Sequence, residues 1–68
     1  MKTKYTSADV ATAEEHVLQA ERHVARQRRI IDKLTRLGQS VVLARESLAE
    51  FERALLVHRG HLQKVKAA

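Results

Sequence analysis

The sequence predicts an all-α fold, namely an antiparallel two-helix coiled-coil hairpin that pairs with a second copy into a four-helix bundle. Two apolar stripes with heptad spacing, separated by one glycine-containing break, carry this prediction. The second stripe is unbroken, with members spaced by three and four residues in turn: Val41, Ala44, Leu48, Phe51, Leu55, His58, Leu62 and Val65. A β-strand would require a period of two, which this spacing does not have.

Composition agrees with a helical protein. The 68 residues include no proline, no cysteine and two glycines, and only 3% are aromatic, as is typical of long helices. Absence of cysteine excludes a disulfide scaffold and a cysteine-bearing zinc site. No apolar run approaches the ~18 residues of a membrane span, and the N-terminal residues lack the apolar segment of a signal peptide. We therefore expect a cytoplasmic protein that does not contact a membrane.

The first predicted helix covers residues 8–37 and follows a flexible tail at residues 1–6. Thr6 or Ser7 is suited to cap it, because a hydroxyl can accept a bond from a free amide of the first turn. Its heptad stripe consists of Val10, Ala13, Val17, Ala20, Val24, Gln27, Ile31 and Leu34. A neighbouring row widens the apolar face and consists of His16, His23, Ile30 and Leu37. Such a wide face favours a helical bundle.

A turn at residues 38–40 separates this helix from a second one at residues 40–65, so that residues 7–68 form one hairpin. Gly38 suits the left-handed position after a helix C-terminus, and Ser40 suits the cap of the next helix. A connection this short forces the two helices to be antiparallel. The stripes then place Val24 near Phe51 or Leu55.

Gly60 interrupts the second predicted helix at a cost of ~1 kcal/mol relative to alanine. The stripe nevertheless continues through Leu62 and Val65, which indicates that the helix continues as well. We therefore expect the second helix to run past Gly60.

Several apolar residues lie outside both stripes. A single core seldom stabilises a chain of this length without a disulfide, a metal or oligomerisation. Two hairpins that bury these residues against each other would form a four-helix bundle. The sequence thus predicts a homodimer with an interface formed by Ile30, Leu37, Val42, Ala49, Leu56 and Val57.

A row of basic residues follows the outer face of the first helix. We call it the basic ridge, and it consists of Arg22, Arg26, Arg29, Lys33 and Arg36. The net charge of +5 is of the right sign for contact with an anionic surface or with nucleic-acid phosphates. However, the ridge carries no aromatic residue to stack bases and follows no recognition-helix turn, so a solvated helix face is the simpler interpretation.

Four histidines, His16, His23, His58 and His61, fall in the half of the hairpin away from the turn. Neutral imidazoles at this spacing are candidate ligands for a divalent metal. No carboxylate or cysteine completes a known metal signature, so packing is the simpler role. We predict no metal and no cofactor.

The sequence contains no pattern typical of catalysis. It has no glycine-rich phosphate loop, no nucleophile elbow and no H-E-x-x-H motif, and a narrow bundle offers little concave surface. We therefore predict a non-enzymatic, self-associating helical interaction module, with an unidentified protein as a further partner. The alternative is a nucleic-acid-binding protein that uses the basic ridge.

The run Glu21-Arg22-His23-Val24-Ala25-Arg26-Gln27-Arg28 resembles a short motif, E-R-H-V-x-R-Q-R, of small uncharacterised alphaproteobacterial proteins. Later features of that group also match here: a turn glycine at Gly38, the pair Phe51-Glu52, and two histidines at His58 and His61. The resemblance covers the chain from about Glu14 to His61, and Gly60 departs from the helix-forming residue expected there. It implies a helical hairpin without an assigned activity.

Overall fold

The computed structural model describes residues 5–67 as two antiparallel helices. Helix α1 spans Ser7–Arg36 and helix α2 spans Val42–Ala67. The Cα trace is 57 Å long but only 15 Å and 12 Å in its other two dimensions. The predicted all-α hairpin is therefore confirmed. Neither described helix combines the length and apolarity that a membrane crossing requires.

Helix α1 is capped at both ends by its own sequence. At the start, the Thr6 hydroxyl accepts from the amide of Asp9 at 3.2 Å, and the Asp9 carboxylate accepts from the amide of Thr6 at 2.8 Å. This reciprocal pair is a capping box. Thr6 thus belongs to the cap, whereas residues 1–4 of the tail predicted at residues 1–6 lie outside the described residues.

The break between the helices begins with the predicted glycine. Gly38 has φ of +69°. Its amide donates to the carbonyl of Thr35 at 3.1 Å, and the amide of Gln39 donates to the carbonyl of Leu34 at 2.9 Å. These two bonds form a Schellman motif, which satisfies carbonyls left free at a helix end. Glycine adopts this left-handed backbone without the steric cost that a Cβ would add.

Helix α2 begins later than the predicted residue 40. The carbonyl of Val41 accepts the first helical bond, from the amide of Arg45 at 2.8 Å, so Val41 and not Ser40 is the capping residue. The Ser40 hydroxyl instead accepts from the amide of Val42 at 3.4 Å. At the other end, α2 continues through Gly60 to Ala67, two residues past the predicted end at residue 65.

The core is a narrow line between the two helices. Ala20, Val24 and Leu55 form its centre, so Val24 meets one of its two predicted partners. The polar stripe residue Gln27 is accommodated because its amide donates to the carbonyl of Ala44 at 3.1 Å. Among the described residues, no large side chain is less than 2% exposed. The hairpin therefore has a thin core and two open sides.

Candidate interaction surfaces

On each helix, one row of side chains lies on either side of the core. Because the helices are antiparallel, each row of α1 lies beside one row of α2. Glu21, Arg28, Glu52 and Arg59 line a shallow groove on one side of the hairpin. His16, His23 and Ala54 line a groove on the opposite side. Because residues seven apart stay in one row of a coiled coil, these groove residues define the chemistry of each side along its length.

We call the first of these the charged side. Its two rows consist of Ser7, Glu14, Glu21, Arg28, Thr35, Arg45, Glu52, Arg59 and Lys66. Two ion pairs cross from one helix to the other, between Arg28 and Glu52 at 2.9 Å and between Arg59 and Glu21 at 3.3 Å. Four of the seven charges on this side thus have partners on the other helix of the same chain.

We call the opposite side the histidine side. Its two rows consist of Asp9, His16, His23, Ile30, Leu37, Ser47, Ala54 and His61. With histidine counted as neutral, Asp9 in the first turn of α1 is the one formally charged residue among these described positions. Ring pairs bridge the helices here. The ring of His23 stacks on that of Phe51 with centroids 5.3 Å apart, and those of His16 and His58 are 5.4 Å apart. This side has no ion pair among the described residues and remains open to solvent.

The six residues predicted as one dimer interface do not lie together. Ile30 and Leu37 belong to the histidine side, and Val57 lies on its outer margin because it follows Ala54 by three positions. Leu56 lines the groove of the charged side, and Val42 and Ala49 share its row. Five of the six are exposed, and Ala49 is half-buried. One flat contact between two hairpins cannot cover both sets.

Three further residues that bear on these surfaces were not predicted. Leu43 is the most exposed of the large hydrophobic residues and shares a row with Val57, while Leu18 is exposed in the row of Ala25 on the charged side. Tyr5 precedes α1 and meets the ring of His61 edge-on, with centroids 6.3 Å apart. The seven-residue spacing would have indicated Leu43 and Leu18, whereas nothing in the sequence indicates the contact of Tyr5.

The four histidines all lie toward the open end of the hairpin but do not converge on one point. His16 and His58 are neighbours, whereas His23 packs on Phe51 and His61 on Tyr5. Over residues 5–67, no group of three or more His, Cys, Asp or Glu side chains is placed to hold a metal ion. The arrangement brings together one pair of imidazoles and leaves the other two beside carbon rings.

The basic ridge lies along the outer edge of α1. Arg36 forms an ion pair with Asp32 at 2.8 Å. The other four members, Arg22, Arg26, Arg29 and Lys33, are exposed and form no ion pair with any described residue. Arg26 and Lys33 lean toward the histidine side, since each follows a residue of that side by three positions. The ridge thus presents four cations whose charge the chain itself does not balance.

Comparison with protein-family models, curated proteins and solved structures finds no match to this chain. The resemblance to small alphaproteobacterial hairpin proteins therefore stays a prediction, and function has to be argued from the surfaces themselves.

Proposed function

We propose that this protein is a non-enzymatic helical module that self-associates, with two hairpins forming a four-helix bundle. The observation that carries the proposal is the accessible surface of 5436 Å². A compact monomer of this mass exposes about 4,300 Å². The surplus of about 1,100 Å² exceeds the ~800 Å² that each partner buries in a standard protein interface. The elongated shape of the hairpin accounts for this surplus, and a second copy packed along its length would cover an area of that order.

Exposed apolar side chains support the same conclusion. Seven large hydrophobic residues of the two helices and their connection stand out as exposed: Leu18, Ile30, Leu37, Val42, Leu43, Leu56 and Val57. Four of them, Ile30, Leu37, Leu43 and Val57, lie on the histidine side or its margin. Single surface hydrophobic residues are normal, whereas several on one face are typical of an interaction site. The cytoplasmic location expected from the sequence stays a prediction, as does binding of an additional, unidentified protein.

Light scattering across a dilution series, combined with circular dichroism, tests self-association. We expect a mass of twice the 7.7 kDa chain at micromolar concentration, and a fall in both mass and helicity on dilution. A helical monomer that persists at micromolar concentration would overturn the proposal, because the thin core would then be sufficient by itself.

The second candidate is binding of nucleic acid by the basic ridge, favoured by its four unpaired cations. Residues three to four apart on a helix have Cβ atoms ~5–6 Å apart and share one face, so the ridge forms a continuous row of cations that can follow a phosphate backbone. Fluorescence anisotropy with duplex DNA and single-stranded RNA between 50 and 200 mM salt tests it. Each phosphate contact should contribute a slope of about −0.9 for duplex DNA in log Kobs against log salt.

A matched pair of variants assigns any such binding to the ridge. Lys33→Gln should reduce the salt slope by about 1, whereas Arg53→Gln, on the outer edge of α2, should leave it unchanged. Equal losses from both variants would indicate non-specific attraction by the net charge of the chain.

A further inference from the structure

We infer that the second copy of the chain docks on the histidine side and leaves the charged side in solvent. This inference rests on the self-association proposed above and states which surface performs it. The interface it predicts contains only three of the six residues expected from the sequence, namely Ile30, Leu37 and Val57.

Charge distinguishes the two sides most sharply. Seven of the row residues on the charged side carry a charge, whereas Asp9, in the first turn of α1, is the one formally charged residue among the described row positions of the histidine side. Docking on the charged side would remove those ions from water, and the desolvation cost often exceeds the gain from their mutual attraction. The pairs Arg28–Glu52 and Arg59–Glu21 already exist in one hairpin, so docking there would add no new partner for them.

The shapes of the two rows also favour a second copy on the histidine side. The row of α1 is built from large side chains, among them His23, Ile30 and Leu37, whereas the row of α2 contains the small residues Ser47 and Ala54. A twofold axis parallel to the helices places α1 of each copy against α2 of the other, so that large residues face small ones. Self-complementarity of this kind is what a twofold interface requires.

The margins of the histidine side suit the rim of such an interface. On α2 the margin holds Leu43, Glu50, Val57 and Lys64, and Leu43 and Val57 are 77% and 69% exposed in the single hairpin. On α1 it holds Arg26 and Lys33, which can remain in water at the edge of the contact. An apolar centre with a charged rim is the usual anatomy of a protein interface.

Two pairs of substitutions test the choice of side, because each pair matches helix, exposure and residue size. Leu56 and Val57 are adjacent in α2 and 66% and 69% exposed, but they lie on opposite sides. Leu18 and Ile30 are both in α1 and 41% and 39% exposed, again on opposite sides. The four variants are Val57→Glu, Leu56→Glu, Ile30→Glu and Leu18→Glu.

Sedimentation equilibrium of each variant gives its dimer Kd. We expect Ile30→Glu to raise the Kd at least about 100-fold, because each dimer would bury two carboxylates without partners. Val57→Glu, at the margin of the contact, should raise it at least about tenfold, because it replaces apolar contact area by a charge. Leu56→Glu and Leu18→Glu should change it less than about threefold, since an exposed substitution has little effect. The reverse pattern, or equal effects within each pair, would overturn the inference while leaving self-association intact. A monomeric wild type would instead refute the proposed function.

Cross-linking provides a second test that does not depend on a disruptive substitution. The chain has no cysteine, so Ala54→Cys on the histidine side and Ala25→Cys on the charged side each introduce a unique thiol in a groove. With a flexible bis-maleimide, we expect covalent dimer from Ala54→Cys and little from Ala25→Cys at the same concentration. Preferential cross-linking of Ala25→Cys would overturn the choice of side.

Discussion

The charged side and the histidine side are built from the same two helices at the same spacing, yet they differ in the side-chain contacts that cross between the helices. On the charged side, Arg28 and Arg59 of opposite helices each meet a carboxylate of the other helix. On the histidine side, imidazoles meet one another and the rings of Phe51 and Tyr5, with no ion pair among the described residues. The backbone geometry is common to both sides. The choice of residues alone therefore places cross-helix ion pairs on one side and ring contacts without ion pairs on the other.

The difference separates two roles that side-chain rows can have. Cross-helix ion pairs fix orientation and register more than they add stability, because exposed pairs contribute little. Rows with few charges contribute through burial, which is larger but requires a partner. The ion pairs of the charged side therefore orient the chain on itself, and we propose that the histidine side receives the second copy.

The largest expected effect lies in the core that both sides share. Leu55→Ala should lower the free energy of unfolding by about 2–5 kcal/mol, because Leu55 is 9% exposed and contacts Ala20 and Val24. Leu56→Ala, one residue further on, should change it by less than about 0.5 kcal/mol. Urea unfolding at one fixed protein concentration measures both, and similar losses would contradict the placement of the core.

The hairpin itself could be predicted from sequence because heptad spacing and Gly38 are local signals. The spacing fixes which face of each helix is buried, and the left-handed backbone at Gly38 ends α1 where a glycine is required. The cap of α2 was placed one residue early, because Ser40 accepts from an amide without being the residue that starts the helix. Such local competition between neighbouring hydroxyl and carbonyl groups is weakly encoded in sequence.

The candidate interface was only partly predictable. Six apolar residues outside the stripes were assigned to one surface, but antiparallel packing sends the row of Ile30 and the row of Leu56 to opposite sides. This separation follows from the direction of the helices and could have been read from the spacing once the hairpin was assumed. The contact between Tyr5 and His61 could not, because it depends on where the chain before α1 happens to lie.

The ion pairs of the charged side should contribute less than the core residue Leu55. Arg28 and Glu52 have side chains that are 65% and 45% exposed, so solvent screens their attraction. A double-mutant cycle with Arg28→Gln and Glu52→Gln should give a coupling energy of about 0.2–1 kcal/mol that decreases with salt. The dimer Kd should stay unchanged in both single variants. A loss of association would place these residues in the interface and contradict the comparison.

Metal ions should have the smallest effect of all. Zinc or nickel at stoichiometric concentration should leave the Tm unchanged, because His16 and His58 are neighbours but no third ligand joins them among the described residues. A ligand that does not bind the folded state cannot stabilise it by mass action. A rise of several degrees would contradict this expectation. Its loss in the double variant His58→Gln, His61→Gln would assign the metal to α2, whereas its loss in Val57→Glu would place the metal between two copies on the histidine side.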